Sequence, residues 1–370
     1  MSPLSGPLGS GNMAAVDSGL DPRSRRSWAL PLNNPPVVPV SDVTGMRPDD
    51  LVVGVCLEGR LRAYPWWIVA NFHVVNDTWL DERAGPDERW RGDHLERAPA
   101  GVGRPGGRAV VVTLCEACSS VTAFVPQTTD GTEHGLVFSC CFPTVREHFD
   151  AFGTFTMCDL KTLSRWHPAI GIARSGPLEG KRLQRLPAFI DRWADWQRDF
   201  AHSEVVVAAA ETRHRPHVLD LPNVDDPEAV HSSLQAVWES EPGRRDERLA
   251  QGDLVLGVEV GDSALAIPGA AVNEAGGILH FDAGPTSAFA VRHGLRLLAF
   301  NRRVGGTLEA WTLDQDRGLV MSSSGQMFDL FGRRWPLGTE GPGLEVLASS
   351  FVAKWSAWSA FFPGSSIFAS

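Results

Sequence analysis

The chain has 370 residues, of which 43% are hydrophobic and 21% charged, and its formal net charge at pH 7 is −10. That composition is globular and long enough for two domains of ordinary size. Its acidic balance argues against a nucleic-acid or anionic-membrane surface, since both reward clustered Lys and Arg, and no apolar run reaches the ~18–20 residues that span a bilayer.

Residues 1–27 hold no continuous apolar core, so they do not read as a secretory signal. They are set aside as a disordered leader or tag remnant, since "GPLGS" resembles the scar of a cleaved tag. The remainder is expected in the cytoplasm, where thiols are normally reduced. "LVVGVCLEGRLRAYP" (51–65) predicts two alternating strands around a tight turn, with Pro65 at a helix start. On a helix following Pro65, His73 and Asp77 lie four apart and share one face. "TLCEACSSV" (113–121) sets Cys115 and Cys118 in a loop between two strands. In "FSCC" (138–141) a strand turns Cys140 and Cys141 to opposite faces. "RWADWQRDF" (192–200) places Trp193 and Trp196 on one helix face, the pattern of a helix docked on a sheet. A polar segment rich in Pro, Asp, Glu and Arg follows at 211–252.

Beyond that segment the earlier pattern returns. "LVLGVEVGDSALAIP" (254–268) aligns without a gap on 51–65, and "KWSAWSAFF" (354–362) repeats the tryptophan spacing of 192–200. Gly171, Gly180, Leu183 and Leu186 recur at one offset as Gly332, Gly341, Leu344 and Leu347. The expected fold is mainly β with a few helices (α+β): two tandem, divergent copies of one β-rich unit packed together, at 28–210 and 253–370. In this alignment Cys56 faces Glu259, Leu114-Cys115 face Phe281-Asp282, and Cys118 faces Pro285. The 6 cysteines, Cys56, Cys115, Cys118, Cys140, Cys141 and Cys158, all fall in the first copy. Both copies need a core, so packing alone does not explain that segregation, whereas a site confined to the first copy does.

Several ordered stretches carry a family resemblance: "VVGVCLEGRLRAYP", "HVVNDTW", "VVVTLCEACSSVTAF", "MCDLKTLSRWHPAIG", "EGKRLQRLP" and "DRWADW". The chain resembles the bacterial and archaeal family called domain of unknown function 3179, closely over about 48–210 and more weakly to the end. The resemblance brings no reaction with it. It does mark departures: the family's Cys-Pro-Leu-Cys-Gly loop is Cys115-Glu116-Ala117-Cys118-Ser119 here, and Cys158 stands where the family has a tyrosine. The insertion at 138–155 adds Cys140, Cys141 and His148, so the chain reads as a divergent, unusually cysteine-rich member.

A Cys-x-x-Cys loop can hold two thiolates for a metal, act as a redox pair, or simply pack. A second such pair, which a closed structural zinc site usually needs, is missing, so the remaining ligands must come from an irregular set. The sequence therefore points to Cys115, Cys118, His73 and Cys140 as ligands of one transition-metal ion: copper, iron or zinc. Asp77 is expected to orient His73, and Cys158 to serve as a further ligand or nucleophile. His167, beside Pro168, is a candidate ligand and Trp166 a packing residue or pocket wall, while Cys56 reads as core. The function this suggests is a metal-dependent oxidoreductase acting on a small molecule, possible in specialised metabolism, without nucleic-acid or membrane partners and of open oligomeric state. Two alternatives stand beside it: a non-enzymatic, metal-stabilised binding module, and a metal-free thiol redox enzyme.

Overall fold

The computed structural model describes residues 31–80, 107–115, 119–141, 156–207, 245–260, 263–347 and 349–368. Strands dominate, and their sheets are arranged as a six-bladed β-propeller. Blade 1 orders β13 (Ala188–Arg192), β3 (Leu51–Leu57), β4 (Arg60–Pro65), β14 (Glu204–Val206) and β2 (Val37–Pro39). Blade 2 orders β1 (Leu32–Asn33), β5 (Val74–Leu80), β6 (Gly107–Cys115), β7 (Ser120–Thr128) and β12 (Leu183–Leu186). Blade 3 joins β11 (Ala173–Ser175), β10 (Arg165–Trp166), β9 (Thr156–Asp159) and β8 (Phe138–Cys141).

Blade 4 orders β26 (Ser350–Lys354), β15 (Leu254–Val260), β16 (Ser263–Pro268) and β27 (Ser366–Ile367). Blade 5 is β17 (Ile278–Ala283), β18 (Thr286–His293) and β19 (Arg296–Asn301). Blade 6 is β22 (Trp311–Asp314), β23 (Leu319–Ser322), β24 (Met327–Asp329) and β25 (Arg334–Trp335), with a short ribbon of β20 (Arg303–Val304) and β21 (Thr307–Leu308) before it.

The apolar clusters give the order round the ring. Val53, Val55 and Tyr64 of blade 1 pack with Val75, Val110 and Val112 of blade 2. Val111 and Phe124 of blade 2 share a cluster with Phe138 and Trp166 of blade 3 and with Phe351 and Trp358 of blade 4 and its helix. Leu256 and Val258 of blade 4 meet Phe281 and Leu297 of blade 5. Phe289 and Phe300 of blade 5, Trp311 and Phe328 of blade 6, and Val52 and Trp196 of blade 1 close the circle. Two of the four clusters thus mix residues from both ends of the chain, so neither half buries its apolar surface alone.

The pairings of the first half recur in the second. β3 pairs antiparallel with β4 and β13, and β15 pairs likewise with β16 and β26. β14 lies parallel to β4 as β27 lies parallel to β16. Pro65 and Pro268 each stand just before a short helix, α1 (Trp66–Phe72) and α3 (Gly269–Glu274), where a missing N–H costs nothing. The tryptophan pairs sit on α2 (Trp193–Asp199) and α4 (Trp355–Phe361). Trp196 lies over Gly54 and Trp358 over Gly257, so close that a Cβ at either glycine would enter the indole. Each indole N–H is held by a serine, Trp196 Nε1 to Ser203 Oγ at 2.9 Å and Trp358 Nε1 to Ser365 Oγ at 3.1 Å. Among the described residues no helix is long and apolar enough to cross a membrane.

Candidate functional site at the junction of blades 2, 3 and 4

Helix α1 is shorter than the sequence suggests. It stops at Phe72, and His73 takes a left-handed conformation (φ 56°) in which its N–H still reaches Val69 O at 2.7 Å. The β-branched run from Val74 then enters β5, because such side chains favour an extended, half-buried strand over another helical turn. Two consequences follow for the expected His73–Asp77 pair. His73 lands opposite the end of β6, where Leu114 N donates to His73 O at 3.1 Å, one residue from Cys115. Asp77 instead joins a buried network: its Oδ2 accepts from Arg62 and from the Tyr64 hydroxyl at 2.7 Å, and Tyr64 in turn accepts from Trp79 Nε1 at 2.9 Å. Asp77 therefore ties blade 2 to blade 1. The expectation that it orients His73 is corrected: its lone pairs face another partner.

Cys115 is buried at the end of β6 and belongs to the same cluster as Val111 and Phe124, facing blade 3. Its sulfur is in a disulfide, as is that of Cys158 on β9. In this state neither is a thiolate ligand or a free nucleophile. The expectation of reduced thiols at these two positions is corrected accordingly. Cys118 and His148 lie outside the described residues. Cys140 and Cys141 form the end of β8, opposite Met157 and Thr156, and only their backbone is described. Cys56 is a free, buried thiol whose pKa burial pushes up to about 11, which fits the core reading. Among the described residues no group of three His, Cys, Asp or Glu side chains could hold a metal ion.

What gathers beside Cys115 is a set of polar groups that sequence reasoning did not single out. β6 and β7 pair Thr113 with Thr122 and Cys115 with Ser120, so alternation turns these four side chains to the blade 3 side, together with Phe124. Thr122 Oγ1 donates to Pro168 O at 2.7 Å and so pins the turn that carries His167. The His167 ring is buried, and its Nδ1 accepts from the N–H groups of Ala169 at 3.2 Å and Ile170 at 3.4 Å. An accepting Nδ1 fixes the neutral tautomer with its proton on Nε2. Burial, reinforced by the charges of Arg174 and Arg185, pulls the imidazole down to about 3, so the ring stays neutral through the physiological range. His167 Nε2, Thr113 Oγ1 and Ser120 Oγ are all buried without a hydrogen-bond partner. Phe361 of α4 stands edge-on to the His167 ring, 4.5 Å between centroids, which brings blade 4 to the same place. Trp166 is the packing residue expected, its N–H held by Asp159 Oδ2 at 2.9 Å.

The corresponding junction of blades 5, 6 and 1 is built differently. By strand order, the hairpin in the place of Cys115–Ser120 is His293–Arg296, at the β18–β19 turn, and not Phe281–Pro285 as the sequence alignment has it. The connection between β5 and β6 spans residues 81–106, whereas β17 and β18 are joined by Gly284-Pro285, and this difference shifts the alignment. In Ser120's place Arg296 reaches across to Asp191 Oδ2 at 2.8 Å and Asp199 Oδ2 at 2.6 Å. In His167's place, Asp329 caps the equivalent turn, its Oδ1 accepting from Phe331 N at 3.0 Å and Arg333 N at 2.9 Å. Its other oxygen accepts from Arg333 Nε at 2.7 Å. The second junction is closed by ion pairs, while the first keeps three polar atoms unpaired.

The signal for Ser120 and Thr122 was available in period-two alternation from Cys115 through the hairpin. That for Thr113 was the same alternation on the preceding strand. Neither a curated protein nor a solved structure matches the chain. The family described as "Protein of unknown function (DUF3179)" matches residues 103–365, which takes in the Cys115 hairpin, the His167 turn and most of the second half. The chain belongs to that family.

Proposed function

We propose that the protein is an oxidoreductase acting on a small molecule at the junction of blades 2, 3 and 4, with the Cys115 disulfide as its redox couple. We further propose that the two halves of the ring are divergent tandem copies of one unit, the first keeping the chemistry and the second serving as scaffold. The observation that carries both is the asymmetry between the junctions. A buried polar group without a partner costs roughly 1–3 kcal/mol. Three of them beside one disulfide sulfur, against a counterpart in which Arg296 and Asp329 are both paired, mark a place where a ligand supplies the missing contacts.

The roles follow from the chemistry of each group. His167 Nε2–H is a donor for a substrate oxygen, and the Thr113 and Ser120 hydroxyls can donate or accept. A substrate carrying two removable hydrogens gives two electrons and two protons to the disulfide; the S–S bond breaks, two thiols form, and the substrate leaves oxidised. A low-molecular-weight disulfide then accepts the same two electrons and two protons, becomes two thiols and restores the bond. A second reading keeps the metal: a sulfur bonded to Cys115 is also near enough to share one soft ion with it after reduction, and His73 stands one residue away.

One measurement separates these readings. Equilibrating the protein in graded thiol–disulfide buffers, with free thiols and bound metal counted at each step, should give a Cys115-dependent couple above about −250 mV and no stoichiometric metal. A bond that resists reduction below about −300 mV is structural and ends the redox proposal. One equivalent of copper, iron or zinc taken up on reduction, and lost in Cys115→Ser, favours the metal reading.

A further inference from the structure

Three arginines lie between the blades, Arg62 and Arg296 buried and Arg185 half-buried, and they are not provided for alike. Arg62 holds Asp77 and Glu204, and Arg296 holds Asp191 and Asp199. Arg185, on β12, holds only carbonyls and rings. Its Nη1 donates to Ser350 O at 2.8 Å and its Nη2 to Ala169 O at 2.9 Å, and its guanidinium lies 5.6 Å from the Phe124 ring centroid and 4.9 Å from that of Phe351. The carboxylate whose charge it feels, Glu259, is already paired with Arg182 at 2.6 Å. Burial pulls the Arg185 guanidinium down to about 10, which leaves it charged at neutral pH. Even half-buried, a cation with no anion of its own carries part of the desolvation cost that an ion pair would offset.

The space Arg185 faces has a definite character. A cavity of about 150 Å³ lies among the inner strands, and Arg185 is the one charged residue among its described walls. Val121, Leu254, Leu256, Leu297, Val346 and Phe351 supply apolar surface around it. Arg185, Leu186 and Pro187 also wall a wider cleft of about 760 Å³, so Arg185 borders both spaces. A cavity of this size has room for a group about as large as benzene.

We propose that the axial cavity is a binding site for a small monocarboxylate with an apolar tail, its carboxylate on Arg185 and its tail among the leucine and valine walls. Guanidinium and carboxylate match as two parallel N–H···O bonds, and the anion removes the cost of the lone charge. The site adjoins the His167 turn through Ala169 O, so its ligand is a candidate substrate for the oxidoreductase proposed above. Binding is read without turnover, and a binding protein that proves redox-inert would lose that function but keep this site.

The test is calorimetric titration of the full chain with benzoate and hexanoate, against benzamide, hexanol and inorganic phosphate. Both carboxylates should bind one to one, and Arg185→Met should weaken them about tenfold to a hundredfold. The neutral analogues and phosphate should bind at least tenfold more weakly than the carboxylates. Arg185→Met without ligand should melt no lower than wild type, because an apolar chain replaces an unpaired charge. Val346→Glu, which sets a carboxylate on the same cavity, should abolish binding independently of how the first variant folds. Carboxylates that do not bind wild type, or that bind both variants as wild type, overturn the proposal. Phosphate binding as tightly as benzoate overturns the tail, and a large drop in melting temperature for Arg185→Met makes the residue a strut between Ser350 and Ala169.

Discussion

The junction around Cys115 and the junction around Arg296 share a frame and differ in how their polar groups are spent. Both are roofed by a short helix whose tryptophan lies on a strand glycine, and both carry a tight turn capped by the side chain of its first residue, His167 or Asp329. At the second junction the long side chain of Arg296 fills the space and satisfies two carboxylates. At the first, Ser120 stands in its place, too short to cross, and its hydroxyl and His167 Nε2 are left without partners. A short side chain at that interior position replaces an ion-paired clamp with hydrogen-bonding groups that have no partner.

If the frame is common to both halves, removing its anchors should hurt equally. Trp196→Ala and Trp358→Ala should each cost roughly 3–5 kcal/mol in urea unfolding, the usual range for a fully buried tryptophan. A large difference between them would break the equivalence. Arg296→Met should cost about 3 kcal/mol or more, since it strands Asp191 and Asp199 in the interior. Those two losses set the scale.

Protonation sharpens the contrast. Burial lowers the His167 imidazole from 6.5 to about 3, so between those limits the unfolded chain takes a proton that the folded one refuses. Its contribution to stability is present above pH 6.5 and is lost as pH falls. Burial outweighs Arg296 at Asp191 and raises that carboxyl from 3.8 to about 6, so its contribution runs the other way and is lost as pH rises through that window. The two slopes oppose each other in wild type. Relative to wild type, Asp191→Asn should make stability climb more steeply from pH 4 to 6, and His167→Asn should make it fall; chemical unfolding across that range reads both. Variants with parallel profiles would remove the distinction.

The smallest effects belong to the Cys115 junction itself. Ser120→Ala and Thr113→Val remove hydroxyls that have no partner, so each should be neutral or stabilising by up to about 1 kcal/mol. A loss above that size in thermal unfolding would mean those hydroxyls are part of the frame after all.

Much of this frame was legible in one dimension. The alternation in 51–65 and 254–268, the prolines after them, and the Trp-x-x-Trp spacing all describe local geometry, and all appear where the sequence puts them. The echo of Gly171 and Leu183 in Gly332 and Leu344 coincides with one hydrogen bond found in both halves: Leu183 N reaches Gly171 O at 2.9 Å, and Leu344 N reaches Gly332 O at 2.8 Å. His73 was found near Cys115, but through a strand partner rather than a shared helix. The alignment failed at the Cys115 hairpin because the connection between β5 and β6 has 26 residues, 81–106, and that between β17 and β18 only Gly284-Pro285.

Period, spacing and proline placement let the sequence by itself determine strands, short docked helices and their recurrence, because each is a property of a few neighbouring residues. Only the tertiary structure decided that the two halves share their cores in one ring, and which polar groups find partners. Those choices are made between residues far apart in the chain, as Arg296 with Asp191, 105 positions away. A side chain's charge is written in its own codon; whether it is answered depends on what the fold brings to face it.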